Sequence, residues 1–165
     1  MTIATRVHQF LNEQQIPYST VTHSPSHSSA QSAIAAQVPL QKVAKAVILK
    51  DDVNNYLMAL IPASNRVRVR HINELTARDM SLATESEVNK RFTDCENGAI
   101  PPIGQPYNMD MIWDNRLGNT TDLYLEAGDH ETLIHIKQQA FQKMMTGTLH
   151  DDLCSTPAKS VKEGQ

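Results

Sequence analysis

Cysteine is scarce in this chain. Cys95 and Cys154, the two present in 165 residues, lie far apart and match no metal-binding or redox spacing. A reducing cytoplasm is therefore the expected address. Long apolar runs are missing too, and no stretch approaches the ~20 residues that a bilayer span needs. The N-terminal Thr2-Ile3-Ala4-Thr5-Arg6 leads into a polar amphipathic segment, which is not signal-peptide patterning. Nor is there an excess of positive charge. A formal net charge of −3 argues against a protein that grips nucleic acid without regard to sequence. Any RNA contact must be local, weak or supplemented by a partner.

Several catalytic signatures are absent as well. There is no Gly-x-Ser-x-Gly elbow, no Walker loop and no dinucleotide fingerprint. Seven histidines invite a metal, but His130-Glu131 and His135 miss the zincin spacing by one residue, in a segment patterned as strand. His23 and His27 are four apart, with Pro25 between them to break a helix. No metal and no cofactor is expected. If the chain is a hydrolase, a positioned water is the nucleophile that remains.

Apolar residues at 40% and charged residues at 20% fit a globular chain long enough for one ordinary domain. Ile3, Val7, Phe10 and Leu11 predict an amphipathic helix over 3–15, stopped at Pro17. Residues 18–22 are β-prone, and Ser28 with Gln31 has capping-box spacing for a helix to about Ala36. Pro39 opens a short turn that delivers Lys42 and Lys45. Ala46–Leu49 predicts a buried strand, and Tyr56–Ile61 its antiparallel return after turn-rich 51–55. Val67 and Val69, alternating with Arg66, Arg68 and Arg70, predict a short strand with one basic face. Thr84 and Glu87 form a second capping box, for a helix to about Arg91. Strands are expected near 108–112, 123–126 and 132–136, and a helix over 137–145. From Thr146 the pattern turns polar and aperiodic, giving a domain over 1–146 and a flexible tail over 147–165. Mixed elements with hairpin returns and no βαβ repeat predict an α+β fold with a mostly antiparallel or mixed sheet.

Four features could carry chemistry. Gly98-Ala99-Ile100-Pro101-Pro102-Ile103-Gly104 joins two φ-locked prolines to permissive glycines. Such a stiff loop either connects two elements or holds backbone N–H groups ready for a developing oxyanion. Lys45, at the mouth of an apolar strand, either snorkels to solvent or meets an anion. His130, after Gly128-Asp129, is either an exposed turn residue or a group that orients a substrate hydroxyl, and the same two readings hold for His23. The arginine stripe either tracks phosphates or protects an edge strand.

Taken together, these residues resemble the prolyl-tRNA-synthetase-associated editing domain, the YbaK/EbsC-like family of aminoacyl-tRNA deacylases. The resemblance runs from about Tyr18 to Ile136. It is carried by Tyr18 with His23, Lys45 before the apolar strand, Ile61-Pro62-Ala63, Leu82-Ala83-Thr84, the Gly98–Gly104 loop and Ala127-Gly128-Asp129-His130. It implies a strongly twisted, partly barrel-like mixed sheet surrounded by helices. It also implies a free-standing trans-editing hydrolase that cleaves the ester joining a small or polar amino acid (Ala, Ser, Thr or Cys) to tRNA. The implied catalytic residues are Lys45, Gly98 and His130. The implied substrate-binding residues are His23, Ala99, Ile100, Pro101, Pro102, Gly104 and Gly128, with Arg66, Arg68 and Arg70 as candidates for the tRNA backbone. Aminoacyl-tRNA is the implied partner, with an aminoacyl-tRNA synthetase as a source of further tRNA affinity. One departure stands out, because Ala46 follows the lysine where the family often has a polar residue. It points to a different amino-acid pocket or a weakened site. An aminoacyl-tRNA-binding module with little turnover, and a small-molecule esterase, are the competing functions.

Overall fold

The computed structural model describes residues 3–155. Its backbone is a mixed sheet with helices packed around it. The strands of the large sheet are β1 (Ser19–Thr22), β2 (Val43–Lys50), β3 (Tyr56–Pro62), β5 (Ser81–Leu82), β6 (Asp110–Asp114), β7 (Asp122–Glu126), β8 (Thr132–Lys137) and β9 (Leu149–Asp151). They run in the order β1-β8-β7-β2-β3-β6-β9, with β5 added to β2. A separate two-stranded sheet joins β4 (Arg66–Val67) to β10 (Cys154–Ser155). The helices are α1 (Thr5–Glu13), α2 (Ser29–Ala36), α3 (Val69–Thr76), α4 (Glu85–Arg91) and α5 (Gln138–Met144). In the large sheet the β2–β7, β3–β6 and β6–β9 pairings are parallel and the other four antiparallel. The expected α+β class and mixed, largely antiparallel sheet are thus observed. Among the described residues no pairing closes the sheet into a complete barrel.

Strand β3 shows why its sequence reads as one apolar run. Met58 and Leu60 pack into a core with Val7, Leu11, Phe92, Trp113 and Phe141, while Leu57, Ala59 and Ile61 pack on the other face with Ile72, Met80 and Leu153. Alternate side chains point to opposite faces, so a strand covered on both must be apolar throughout. The two capping predictions hold at atomic level. Ser28 Oγ accepts the Gln31 N–H, and Thr84 and Glu87 exchange both capping-box bonds.

Two expectations are corrected. The Arg66–Arg70 segment is not one strand with a basic face. β4 ends at Val67, Arg68 leaves the strand, and α3 begins at Val69. Ile72 is fully buried, and Val69 and Leu75 pack beside it, so helical spacing prevails over the local alternation. The tail reading also fails over its first part. β9 pairs with β6 and β10 with β4, while Leu153 and Cys154 are buried. Residues 156–165, the rest of that expected tail, lie outside the described residues.

The β2–β3 turn is organised by Asp51. Its carboxylate accepts the Val53 N–H at 3.0 Å, the Asn55 N–H at 2.8 Å and Arg78 Nη2 at 3.0 Å. The Asn55 backbone donor first, then the guanidinium, hold its pKa down at about 2 against the opposing effect of burial. A depressed folded pKa means that this contribution to stability is present above the unfolded value and lost as pH falls through the folded one. Wild-type protein is therefore expected to lose stability between pH 3.8 and about 2. Asp51→Asn should remove that part of the acid-unfolding curve measured by circular dichroism.

Candidate active site

The site arises from a gap in the sheet. Along one edge of β2, β7 pairs only with Val43 and Ala44, and β5 only with Leu49 and Lys50. Among the described residues Lys45, Ala46 and Val47 have no strand on that side, and Ile48 receives the Ala83 N–H through its carbonyl. These four residues line an open cleft of about 720 Å³. A contiguous recess of about 290 Å³ shares His27, Lys45, Ala46, Gly98, Ile100 and His130 with it.

Three separate elements thus bring Lys45, Gly98 and His130 together. Lys45 is exposed on β2, and its ammonium has no hydrogen-bond or ion-pair partner among the described residues. Gly98 has φ +84°, a conformation that L side chains rarely adopt, and a Cβ there would lie 3.7 Å from His130 Cε1. Ile100 is half-buried beside it. Neither Gly98 nor Ile100 donates its backbone N–H to an acceptor among the described residues.

His130 sits on a tightly braced turn after β7. Glu126 Oε2 accepts the N–H groups of Gly128 at 2.8 Å, Asp129 at 3.1 Å and His130 at 3.1 Å. The Asp129 carboxylate accepts the Glu131 and Thr132 N–H groups and the Thr132 hydroxyl. These bonds hold His130 at φ +64°, in the left-handed region. Its Nε2–H donates to the Asn97 carbonyl at 2.8 Å, which ties the turn to the Gly98 loop. A carbonyl can only accept, so in the neutral ring Nδ1 carries the free lone pair.

The remaining predicted residues divide clearly. Ile100 lines the cleft, whereas Ala99, Pro101, Pro102 and Gly104 are buried and support the loop from behind. A Cβ on Gly104 would come within 2.8 Å of the Met109 carbonyl oxygen, so this glycine answers to packing. A Cβ on Gly128 would come within 3.1 Å of Ala4 Cβ, and Gly128 lines neither cavity. His23 is buried, with its Nδ1–H donating to the Ser24 carbonyl at 2.7 Å, and it too lies outside both cavities. Arg66 reaches the cleft, while Arg68 and Arg70 do not line it.

Some cleft residues had not been singled out. His27 takes the place expected of His23, with its ring 5.8 Å from that of His130. It immediately precedes the N-cap Ser28, and that helix-start signal could have marked it. Glu126 enters the recess, and Asn97 supplies the carbonyl that orients His130. Both thiols are poor nucleophiles, since burial pushes Cys95 and Cys154 each up to about 12. His135 is held elsewhere, 2.6 Å from Asp122 and stacked on Tyr124.

The fold is shared with solved structures. The hypothetical protein APE2540 superposes with a TM-score of 0.81 at 20% identity, covering 91% of this chain and 99% of that one. A candidate trans-editing enzyme for prolyl tRNA synthetase gives 0.78 at 18% identity, covering 92% and 96%. A candidate signal transduction protein from Marinobacter aquaeolei VT8 gives 0.73 at 17% identity, covering 93% of this chain and 31% of that one. At these identities the likeness establishes the fold. No curated protein sequence matches significantly. The model of the aminoacyl-tRNA editing domain family, however, matches residues 23–144, and the chain belongs to that family.

Proposed function

We propose that this protein is an aminoacyl-tRNA deacylase that hydrolyses the ester of mischarged tRNA carrying a small or polar amino acid such as Ala, Ser, Thr or Cys. The observation that carries the reading is the convergence, in one cleft, of an unpaired Lys45 and the uncommitted N–H groups of Gly98 and Ile100, facing a His130 of fixed orientation. Family membership supports the substrate class.

Water attacks the ester carbonyl, its oxygen bonds to that carbon, and the bond to the ribose oxygen breaks. The amino acid leaves with a free carboxyl group, and the ribose oxygen takes up a proton. Negative charge develops on the carbonyl oxygen as the tetrahedral centre forms. Lys45 and the loop N–H groups are suited to stabilise that charge, because such donors act most strongly when fixed in advance. His130 Nδ1 is the acceptor available to the water or to the neighbouring ribose hydroxyl. An aminoacyl ester is already activated, so positioning and charge stabilisation suffice without a protein nucleophile.

Ala46 lines both cavities and leaves room where a longer side chain would intrude. Arg66 at the cleft, with Arg68 and Arg70 beyond it, is a candidate for the phosphates near the aminoacylated end. The net charge of −3 favours a synthetase as a source of further tRNA affinity. No described helix is long and apolar enough to cross a membrane.

Comparing release from alanyl-tRNA with release from alanine methyl ester tests the reading. A deacylase is expected to prefer the tRNA ester by kcat/KM. Equal rates on both would instead make the protein a small-molecule esterase.

A further inference from the structure

We propose that Glu126 binds the α-ammonium group of the aminoacyl ester, so that the recess selects esters with a free amine over N-blocked ones. The proposal rests on the deacylase reading for its reaction and on the recess itself for its chemistry.

Glu126 is the one carboxylate on the recess wall among the described residues, and Lys45 is the one lysine. The two form no ion pair with each other, so the recess presents both charges to whatever enters. One oxygen of Glu126 is fixed by three backbone N–H groups, whereas Oε1 accepts nothing among the described residues. A carboxylate anchored by one oxygen holds the other in a set position, which favours a directed, charge-assisted hydrogen bond.

The chemical class that fits is an α-amino ester. An α-amino group titrates near pH ~8, so at neutrality it brings a cation. Its carbonyl lies on the next carbon. With the ammonium at Glu126, the carbonyl oxygen lies in the same recess that Lys45, Gly98 and Ile100 line. Glu85 is the other carboxylate near the substrate, but it lines the larger cleft and not the recess.

The test pairs hydrolysis with binding, using the full chain. Hydrolysis is measured on alanyl-tRNA and N-acetylalanyl-tRNA. Binding is measured with the stable 3′-amide analogue of alanyl-adenosine, with its amine free and acetylated. Wild-type protein should favour the free amine by roughly 10- to 100-fold, the range for a hydrogen bond to a charged group. Glu126→Gln, whose amide oxygen still accepts the three backbone donors, should bring that preference close to unity. Glu85→Gln should keep it.

Equal handling of free and acetylated forms by wild type overturns the proposal. So does a preference that survives Glu126→Gln, or one that disappears in Glu85→Gln. A wild type that binds the analogues but releases no amino acid refutes the deacylase reading, and the preference measured in binding still decides the role of Glu126.

Discussion

Lys45→Ala is expected to lower kcat/KM for deacylation roughly 100- to 1,000-fold, the loss typical of removing one preorganised oxyanion donor. The folded state should be almost untouched. Lys45 is exposed and its ammonium holds no partner, so thermal unfolding should move little. That combination is diagnostic, because a cation kept unpaired beside a cleft contributes nothing to stability that its removal could cost. A protein that only bound aminoacyl ends would lose affinity in this variant, with no turnover to lose. Steady-state kinetics alongside a thermal melt separates the two outcomes.

Asp114→Ala is expected to have the opposite signature, destabilising by about 3 kcal/mol, the upper range for a buried donor stripped of its acceptor. Asp114 is fully buried at the end of β6. Its Oδ2 accepts the Leu153 N–H at 2.7 Å and the Cys154 thiol at 3.1 Å, and Arg116 bonds both of its oxygens. This carboxylate is therefore what fastens the segment leading into β10 onto the sheet. Denaturant unfolding should show the loss. Amide hydrogen exchange should place it at 153–155 and at β4, the strand with which β10 pairs.

The same carboxylate explains a limit of the sequence. Nothing local to Leu149–Ser155 signals a strand, since two- and three-residue strands are too short to show a period and their partners lie far away in the chain. Local features were legible. The Ser28 N-cap, the Thr84–Glu87 capping box and the apolar hairpin of β2 and β3 each follow from neighbouring residues. Helix α3 was hidden because Val67 and Val69 alternate with arginines just where the strand gives way to the helix.

The candidate site divides in the same way. Lys45, the Gly-Pro loop and His130 stand out by residue type and order, and the fold brings all three to one cleft. The cleft itself depends on a register, the gap between the β7 and β5 pairings on β2, which no local pattern encodes. His27 owes its place to a helix start that the sequence does signal, whereas Glu126 owes its place to a turn and is visible only once the chain is folded.

Deacylation of a panel of mischarged tRNAs by the purified protein, with Lys45→Ala in parallel, tests the central claim most directly. The account predicts release of one or two small or polar amino acids, abolished or nearly so in the variant. Binding of the aminoacyl-tRNAs without release from any of them would contradict it, and would make Ala46 the first residue to replace.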